Sequence, residues 1–143
     1  PLELITAKSE KLNGILSISN SAFAFELAVS SFEGFNSPLQ AEHFYENYMQ
    51  IDRYPTATFT GKIIEFIDFQ KTGKLKVRAK GKFTIHGIEK EIMVEINLQI
   101  KEESIVADSE FDILLEDYKI KIPKIVNKKI ANTIHIAVHA ELK

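Results

Sequence analysis

The stretch that decides the fold is Lys74 to Ile85, which reads KLKVRAKGKFTI. Its even positions are polar and most of its odd positions are apolar, an alternation typical of a β-strand with one solvated and one buried face. The segment Ile92 to Ile100 repeats the alternation with the opposite parity. His86 and Gly87 lie between the two segments and predict a tight turn. These residues therefore predict a β-hairpin with one apolar face.

The same alternation recurs along the rest of the chain. It predicts further strands at residues 2–8, 14–19, 23–29, 59–69, 105–115 and 134–142. About eight strands joined mostly by tight turns favour a meander, and closure into a barrel would bury the apolar face without leaving unpaired edges. A two-sheet sandwich is the alternative that this pattern leaves open. We therefore predict an all-β fold, an antiparallel barrel of about eight strands, in one domain over residues 1–143. We expect its N-terminal strand to be truncated, because the chain enters that strand at Pro1.

One segment interrupts the alternation. Residues 38–51, PLQAEHFYENYMQI, are rich in helix formers and place apolar side chains at roughly helical spacing. Ser37 is a suitable N-cap, and Pro38 suits the first turn of a helix. The segment predicts one short helix that covers an edge or an end of the barrel.

Composition and charge exclude several classes of function. The 143 residues are 45% apolar and 27% charged, and their net charge is -2 at pH 7. A nucleic-acid partner is not expected, because such proteins normally carry a basic excess. No apolar run reaches the roughly 20 residues that span a bilayer as a helix. Cys is absent, which excludes disulfides and thiolate chemistry.

The residues that could carry chemistry form no recognisable catalytic or metal-binding set. His135 and His139 have the spacing of a helical zinc site, but residues four apart in a strand are roughly 13 Å apart and cannot share one ion. His86 is expected to be a solvated turn residue. Glu65 is the main charged residue at an inward position, unless a bulge turns it outward. We therefore expect no enzyme activity, no metal and no cofactor.

The inward strand positions combine large and small side chains. The large ones are Phe23, Phe25, Phe59, Phe69, Phe83 and Phe111, and the small ones include Gly61, Ala79, Gly81, Ala107 and Ser109. Such a mixture produces either an interlocked core or an apolar tunnel. The alternation alone does not decide between them.

Three blocks of the chain resemble, in order, the motifs of the YceI-like family. The first contains His43-Phe44, Tyr48-Met49, Tyr54-Pro55, Phe59 and Gly61-Lys62-Ile63. The second, Gly81 to Gly87 with Lys90, resembles the family's G-x-L-T-x-x-G-x-x-K segment. The third, Phe111 to Ile113 with Asp117 to Ile120, resembles its F-x-I-x-x-x-D-F-x-I segment. The chain departs from the family at Ala41-Glu42, where Arg-Asp is common, and at Lys119, where Gly is common.

The resemblance implies a lipocalin-like barrel that holds a polyisoprenoid chain, such as a quinone tail, in its interior. It also implies a bacterial protein in the periplasm or secreted rather than in the cytoplasm. We therefore predict a non-enzymatic binding protein whose partner is a small hydrophobic ligand, and we consider a homodimer as a second partner. The alternative is a barrel filled by its own side chains that acts as a structural or protein-interaction module.

The residues predicted to bind the ligand lie at inward strand positions and on the helix. They are Phe23, Phe25, Leu27, His43, Phe44, Tyr48, Met49, Phe59, Ile63, Phe83, Ile96, Leu98, Phe111 and Ile113. A polar mouth is expected at His43, Tyr45, Tyr48 and the basic segment 119–129.

Overall fold

The computed structural model describes residues 3–121 and 130–143, and its main element is one curled sheet of eight strands. The strands are β1 (Glu3–Ser9), β2 (Asn13–Leu16), β3 (Ala22–Ala28), β4 (Thr56–Ile63), β5 (Gly73–Ile85), β6 (Ile88–Ile100), β7 (Ile105–Leu114) and β8 (Ile130–Leu142). The helical segments are α1 (Pro38–Glu42), a π-helical turn (His43–Tyr48) and two 3-10 turns (Val29–Ser31 and Glu116–Tyr118).

The strand order in the sheet is β1-β8-β7-β6-β5-β4-β3-β2. From β2 to β8 each strand pairs antiparallel with the next, which confirms the meander and excludes the two-sheet sandwich. The sheet is mostly antiparallel, as predicted, and the exception is β1, which pairs in parallel with β8. The edge strands β1 and β2 are separated only by residues 10–12, and β2 also contacts β8. The chain itself therefore crosses the seam between the two edges of the curled sheet, which no ladder joins among the described residues.

The hairpin of β5 and β6 is the longest regular pairing. Its register runs from Gly73 opposite Ile100 to Ile85 opposite Ile88. His86 (φ 54°) and Gly87 (φ 71°) both have positive φ, as a two-residue type I′ turn requires. The turn and both strands were predicted from the alternation.

Strand β4 is shorter than predicted and ends at Ile63 instead of Phe69. The Glu65 carboxylate accepts hydrogen bonds from the backbone N–H of Arg78 (2.7 Å) and from its Nε (2.6 Å). The side chain thus takes the donor that a longer β4 would have used, and the ladder stops. These two hydrogen bonds, the one from the backbone more than the other, lower the pKa of Glu65. The Glu65 side chain faces outward to Arg78, so it places no charge in the barrel interior.

The predicted helix is present, although in two parts. The Ser37 hydroxyl accepts the N–H of Gln40 at 3.0 Å, and Pro38 opens α1, so the cap is confirmed. After Glu42 the chain continues as the π-helical turn, which buries Phe44 and Tyr48. The Phe44 ring meets the Phe32 ring edge-on at 5.8 Å. The helix therefore closes one end of the barrel, which we call the helix-side end.

The core consists of two clusters of buried apolar residues. The helix-side cluster includes Phe32, Phe44, Tyr48, Ile113 and Tyr118. The far cluster lies toward the opposite end and includes Phe23, Phe25, Ile63, Val77 and Leu98. Four half-buried side chains contact both clusters: Leu12, Phe59, Ile92 and Phe111. The space between the clusters is therefore less completely filled than either of them.

Candidate ligand site inside the barrel

An apolar cavity of about 60 Å³ lies where the two core clusters meet. Its lining comes from six strands, β3 to β8, and from two connecting segments, and consists of Leu12, Phe25, Leu27, Phe32, Ala57, Thr58, Phe59, Phe83, Val94, Ile96, Ala107, Asp108, Ser109, Phe111, Ile136 and Val138. Of these only Thr58, Asp108 and Ser109 carry polar side chains, and the Asp108 carboxylate is bound to His139 on the outer face. A molecule in this space would meet almost only hydrocarbon.

Small side chains on two strands of the wall explain the position of the cavity. Ala57 on β4 and Ala107 on β7 leave room that a larger residue would fill. Ser109 also lines the cavity, and its hydroxyl donates to the Glu95 carbonyl at 2.7 Å. Because that bond satisfies the hydroxyl, Ser109 adds no free polar group to the interior.

The glycines that were candidates for creating interior space serve a different purpose. Gly61 and Gly81 face each other across β4 and β5. A Cβ atom on Gly61 would lie 2.1 Å from the Lys80 carbonyl oxygen, and one on Gly81 would lie 2.1 Å from that of Thr60. These glycines therefore allow a close approach of the two strands, and neither lines the cavity.

Aromatic rings form a connected path through the interior. Phe23 contacts Phe59 (4.9 Å between centroids), Phe59 contacts Phe83 (6.3 Å), and Phe83 contacts Phe111 (5.5 Å). The last two contacts are edge-to-face, a favourable geometry for ring pairs. Phe59 and Phe111 are only half-buried although they face inward. The rings therefore limit the open space, and Phe59 and Phe111 border what remains of it.

The barrel wall beside the cavity is incompletely paired in the described part of the chain. The ladder between β6 and β7 covers only Asn97–Ile100 opposite Ile105–Asp108, although both strands continue beyond it. Beyond Asp108 along β7, the one hydrogen bond described between β6 and β7 is that from the Ser109 hydroxyl to the Glu95 carbonyl. Val94 and Ile96 line the cavity on one side of this divergence, and Phe111 on the other. The wall nearest the cavity is thus held by few interstrand bonds.

Thirteen of the fourteen residues predicted to bind a ligand fall into three groups. Six line the cavity: Phe25, Leu27, Phe59, Phe83, Ile96 and Phe111. Three belong to the far cluster: Phe23, Ile63 and Leu98. Four belong to the helix-side cluster: Phe44, Tyr48, Met49 and Ile113. His43 is half-buried beside Tyr48, with 6.5 Å between the ring centroids.

The polar mouth expected near the helix does not border the cavity. Tyr48 is 2% exposed and packs in the helix-side cluster. The Tyr45 hydroxyl donates to the Phe32 carbonyl, and burial, with the Glu33 charge second, raises the pKa of this phenol. Neither tyrosine nor His43 lines the cavity. Lys119 is exposed, whereas residues 122–129 of the predicted basic segment lie outside the described residues.

His86 has a structural role that sequence reasoning missed. Its Nδ1–H donates to the Tyr118 carbonyl at 2.8 Å, and its Nε2 lies 2.7 Å from the Gln50 side-chain amide. The ring also meets Tyr54 edge-on at 4.9 Å. His86 thus joins the β5–β6 turn to the end of the helical segment and to the 3-10 turn after β7. Its partners are distant in sequence, so only its place in a family-like motif could have indicated this.

The other two histidines of interest lie on the outer face of β8. His135 contacts Asp112 (2.7 Å) and Glu110 (2.9 Å). These hydrogen bonds raise the pKa of His135, and the one to Glu110 has the larger effect. His139 contacts Asp108 at 2.6 Å. Within residues 3–121 and 130–143 no group of three or more His, Cys, Asp or Glu side chains is arranged to hold a metal ion. In the same ranges no helix is long and apolar enough to cross a membrane.

A curled antiparallel sheet around an apolar cavity defines the class of small lipocalin-like barrels. The family match is more specific: the YceI-like domain matches residues 4–142, and the chain belongs to that family. No curated protein sequence matches the chain significantly.

Solved structures at low sequence identity share the fold. The Campylobacter jejuni YCEI protein is 16% identical and has a TM-score of 0.68, over 99% of this chain and 85% of that one. Burkholderia cenocepacia BcnA is 16% identical with a TM-score of 0.68, over 90% and 80% of the two chains. A polyisoprenoid binding domain from Saccharophagus degradans is 14% identical with a TM-score of 0.67, over 87% and 76%. At these identities the likeness establishes the fold.

Proposed function

We propose that this protein is a non-enzymatic binding protein that holds a long apolar molecule, of the polyisoprenoid or quinone-tail class, inside the barrel. The observation that carries the proposal is the apolar cavity between the two core clusters. Membership of the YceI-like family and the shared fold with a polyisoprenoid binding domain support it. A periplasmic or secreted location belongs to the same proposal, and fractionation of the source cells tests it.

The energetic reason is the cost of an apolar tail in water. Burying such a tail stabilises it by about 0.8 kcal/mol per CH₂ group, and a hydrocarbon wall supplies this without specific polar contacts. Selectivity would then depend on the length and width of the tail. An interior lined by phenylalanine, leucine, isoleucine and valine fits this requirement.

The size of the cavity limits how the ligand enters. A volume of about 60 Å³ has room for roughly four water molecules, far less than the roughly 300 Å³ or more of typical ligand pockets. Binding therefore requires rings to turn aside, and the half-buried Phe59 and Phe111, which border the cavity, are the ones that would move. The wall that would have to widen is the one where β6 and β7 diverge, because few hydrogen bonds join the two strands there.

The same observations favour a second candidate, a barrel filled by its own side chains and acting as a structural or interaction module. The ring path from Phe23 to Phe111 already spans much of the interior. If those rings are fixed, the space left is too small for any tail. The two candidates differ in one property, whether the interior opens for a ligand.

Titration with a polyprenyl quinone separates the candidates. Ala107→Leu fills the cavity, and the matched control Ala24→Leu adds the same group at an exposed outer position of β3. We expect the original protein and Ala24→Leu to bind equally and Ala107→Leu to bind at least about tenfold more weakly. Melting curves verify that each variant is folded. Absence of binding to the original protein favours the filled barrel.

Native mass spectrometry of freshly purified protein, followed by organic extraction, identifies the ligand. We expect a co-purifying apolar molecule whose mass fits a series of isoprene units. Fatty acids or phospholipids in its place would keep a binding role but contradict the polyisoprenoid class.

A further inference from the structure

Several exposed apolar side chains lie near one another on one side of the barrel. Eight large hydrophobic side chains are exposed in the described part of the chain, and five of them lie on or beside β2 to β6: Ile15, Ile18, Ile64, Phe66 and Met93. Phe66 is 90% exposed, more than any of the others. Its neighbour Ile67 is buried in the far cluster, and Glu65 binds Arg78, so the segment that presents Phe66 is anchored on both sides.

The strand register brings these side chains together. Lys62, Lys80 and Met93 form one row across β4, β5 and β6 on the outer face. Ile64 lies in the next position, where its N–H donates to the Arg78 carbonyl at 2.9 Å. The turn that carries Ile18 is adjacent, because the Ile63 N–H donates to the Ser21 carbonyl at 3.0 Å. The apolar side chains thus lie around one end of this face.

The same face carries a row of cations. The outward positions of β5 are Lys74, Lys76, Arg78, Lys80 and Lys82, and Lys62 lies beside them on β4. Three of these cations contact carboxylates, Lys76 at 4.0 Å, Arg78 at 2.6 Å and Lys80 at 3.6 Å. Lys62, Lys74 and Lys82 have no ion pair among the residues that the structure describes. On the outward positions of β4 to β6 these six cations stand against four carboxylates, Glu65, Glu89, Glu91 and Glu95, so the face is positive in a chain whose net charge is -2.

We propose that this face, which we call the basic apolar face (Lys62, Ile64, Phe66, Lys80, Lys82 and Met93), docks on the surface of an anionic lipid bilayer. Exposed aromatic and aliphatic side chains ringed by lysines are what the headgroup region of such a bilayer accommodates. The aliphatic Ile64 and Met93 offer no π-face for stacking, so a single-stranded nucleic acid fits this surface less well. Docking goes beyond ligand binding in the barrel and does not depend on what the barrel holds.

Sedimentation with lipid vesicles tests the docking. The original protein is expected to bind vesicles of phosphatidylcholine with about 30 mol % phosphatidylglycerol, and to bind pure phosphatidylcholine at least about tenfold more weakly. Salt at about 0.5 M should weaken the binding, since it screens the lysines. Phe66→Ser and the double variant Lys62→Glu/Lys82→Glu should each reduce binding by about tenfold or more.

Two control variants match these changes elsewhere on the surface. Leu39→Ser removes another exposed apolar side chain, and Lys8→Glu/Lys11→Glu reverses two exposed charges outside the face. Both should bind as the original protein does. The proposal is wrong if the original protein ignores anionic vesicles, or if the face variants and the controls bind alike. Binding to single-stranded DNA but not to vesicles, lost in the face variants, would also overturn it. Circular dichroism verifies that each variant is folded. Phe66→Ser is expected to fold normally, because the Phe66 side chain is 90% exposed.

Discussion

The two ends of the barrel are built in different ways. At the helix-side end, α1 and the π-helical turn bury Phe44 and Tyr48, and His86 bonds to two neighbouring segments. At the far end the turn with Ile18 and the loop with Phe66 leave large apolar side chains in water. The cavity lies between the two clusters. We therefore expect the helix-side end to contribute more to stability and, in the proposed docking, the far end to offer surface to a membrane. A ligand would lie in the interior between them.

Truncating one phenylalanine at each end should give the largest contrast. Phe44 is 1% exposed and contacts Phe32 and Phe35, so Phe44→Ala should lower the free energy of unfolding by about 3–5 kcal/mol. Phe66→Ala at the far end should change it by less than about 0.5 kcal/mol. Urea denaturation of both variants measures the difference. Equal losses would show that the two ends do not differ in this way.

Breaking the His86 contacts should cause the next largest loss of folding stability. His86→Asn keeps a residue that tolerates positive φ but cannot make both hydrogen bonds, so stability should fall by about 1–3 kcal/mol. Urea denaturation again gives the value. A change below about 0.5 kcal/mol would mean that the helix-side end is held by apolar packing alone.

The phenol of Tyr118 should make the helix-side end sensitive to alkali. Burial, with the Asp117 charge second, raises the pKa of Tyr118 to about 12. Because the folded state retains this proton longer than the unfolded state, stability should be full below pH 10 and fall between about pH 10 and 12, by the order of 1–2 kcal/mol. Tyr118→Phe should remove this part of the decline. Parallel alkaline denaturation curves for the two proteins would contradict the assignment.

His135, on the outer wall between the ends, should have the smallest effect. The Glu110 and Asp112 carboxylates raise its pKa, so its contribution is present below about pH 6.5 and is lost as the pH rises through the raised value. The side chain is 39% exposed, so His135→Ala should cost only a few tenths of a kcal/mol at about pH 5.5. At about pH 9 the variant and the original protein should unfold at the same urea concentration.

Much of the fold could be predicted because its signals are local. The alternation identifies the face of each strand, the His86-Gly87 turn fixes the longest hairpin, and Ser37 with Pro38 marks the start of the helix. Alternation does not specify which strand lies beside which. The parallel pairing of β1 with β8 and the divergence of β6 from β7 therefore had no local signal.

The site was predicted less completely for the same reason. Inward parity identified Phe25, Phe59, Phe83 and Phe111, which line the cavity. It also selected Phe23 and Ile63, which lie deeper in the far cluster, because parity gives the face and not the height along the barrel. Lining residues such as Leu12, Phe32 and Ile136 are brought to the cavity by the seam and by the parallel pair, which are tertiary features.

The central claim is that the barrel interior opens for an apolar tail, and a crystal structure of the protein with a bound polyprenyl quinone tests it most directly. The account predicts the tail between the two core clusters, with Phe59 and Phe111 rotated from their present positions and β6 further from β7. A tail bound outside the barrel, with the rings packed as they are now, would contradict it.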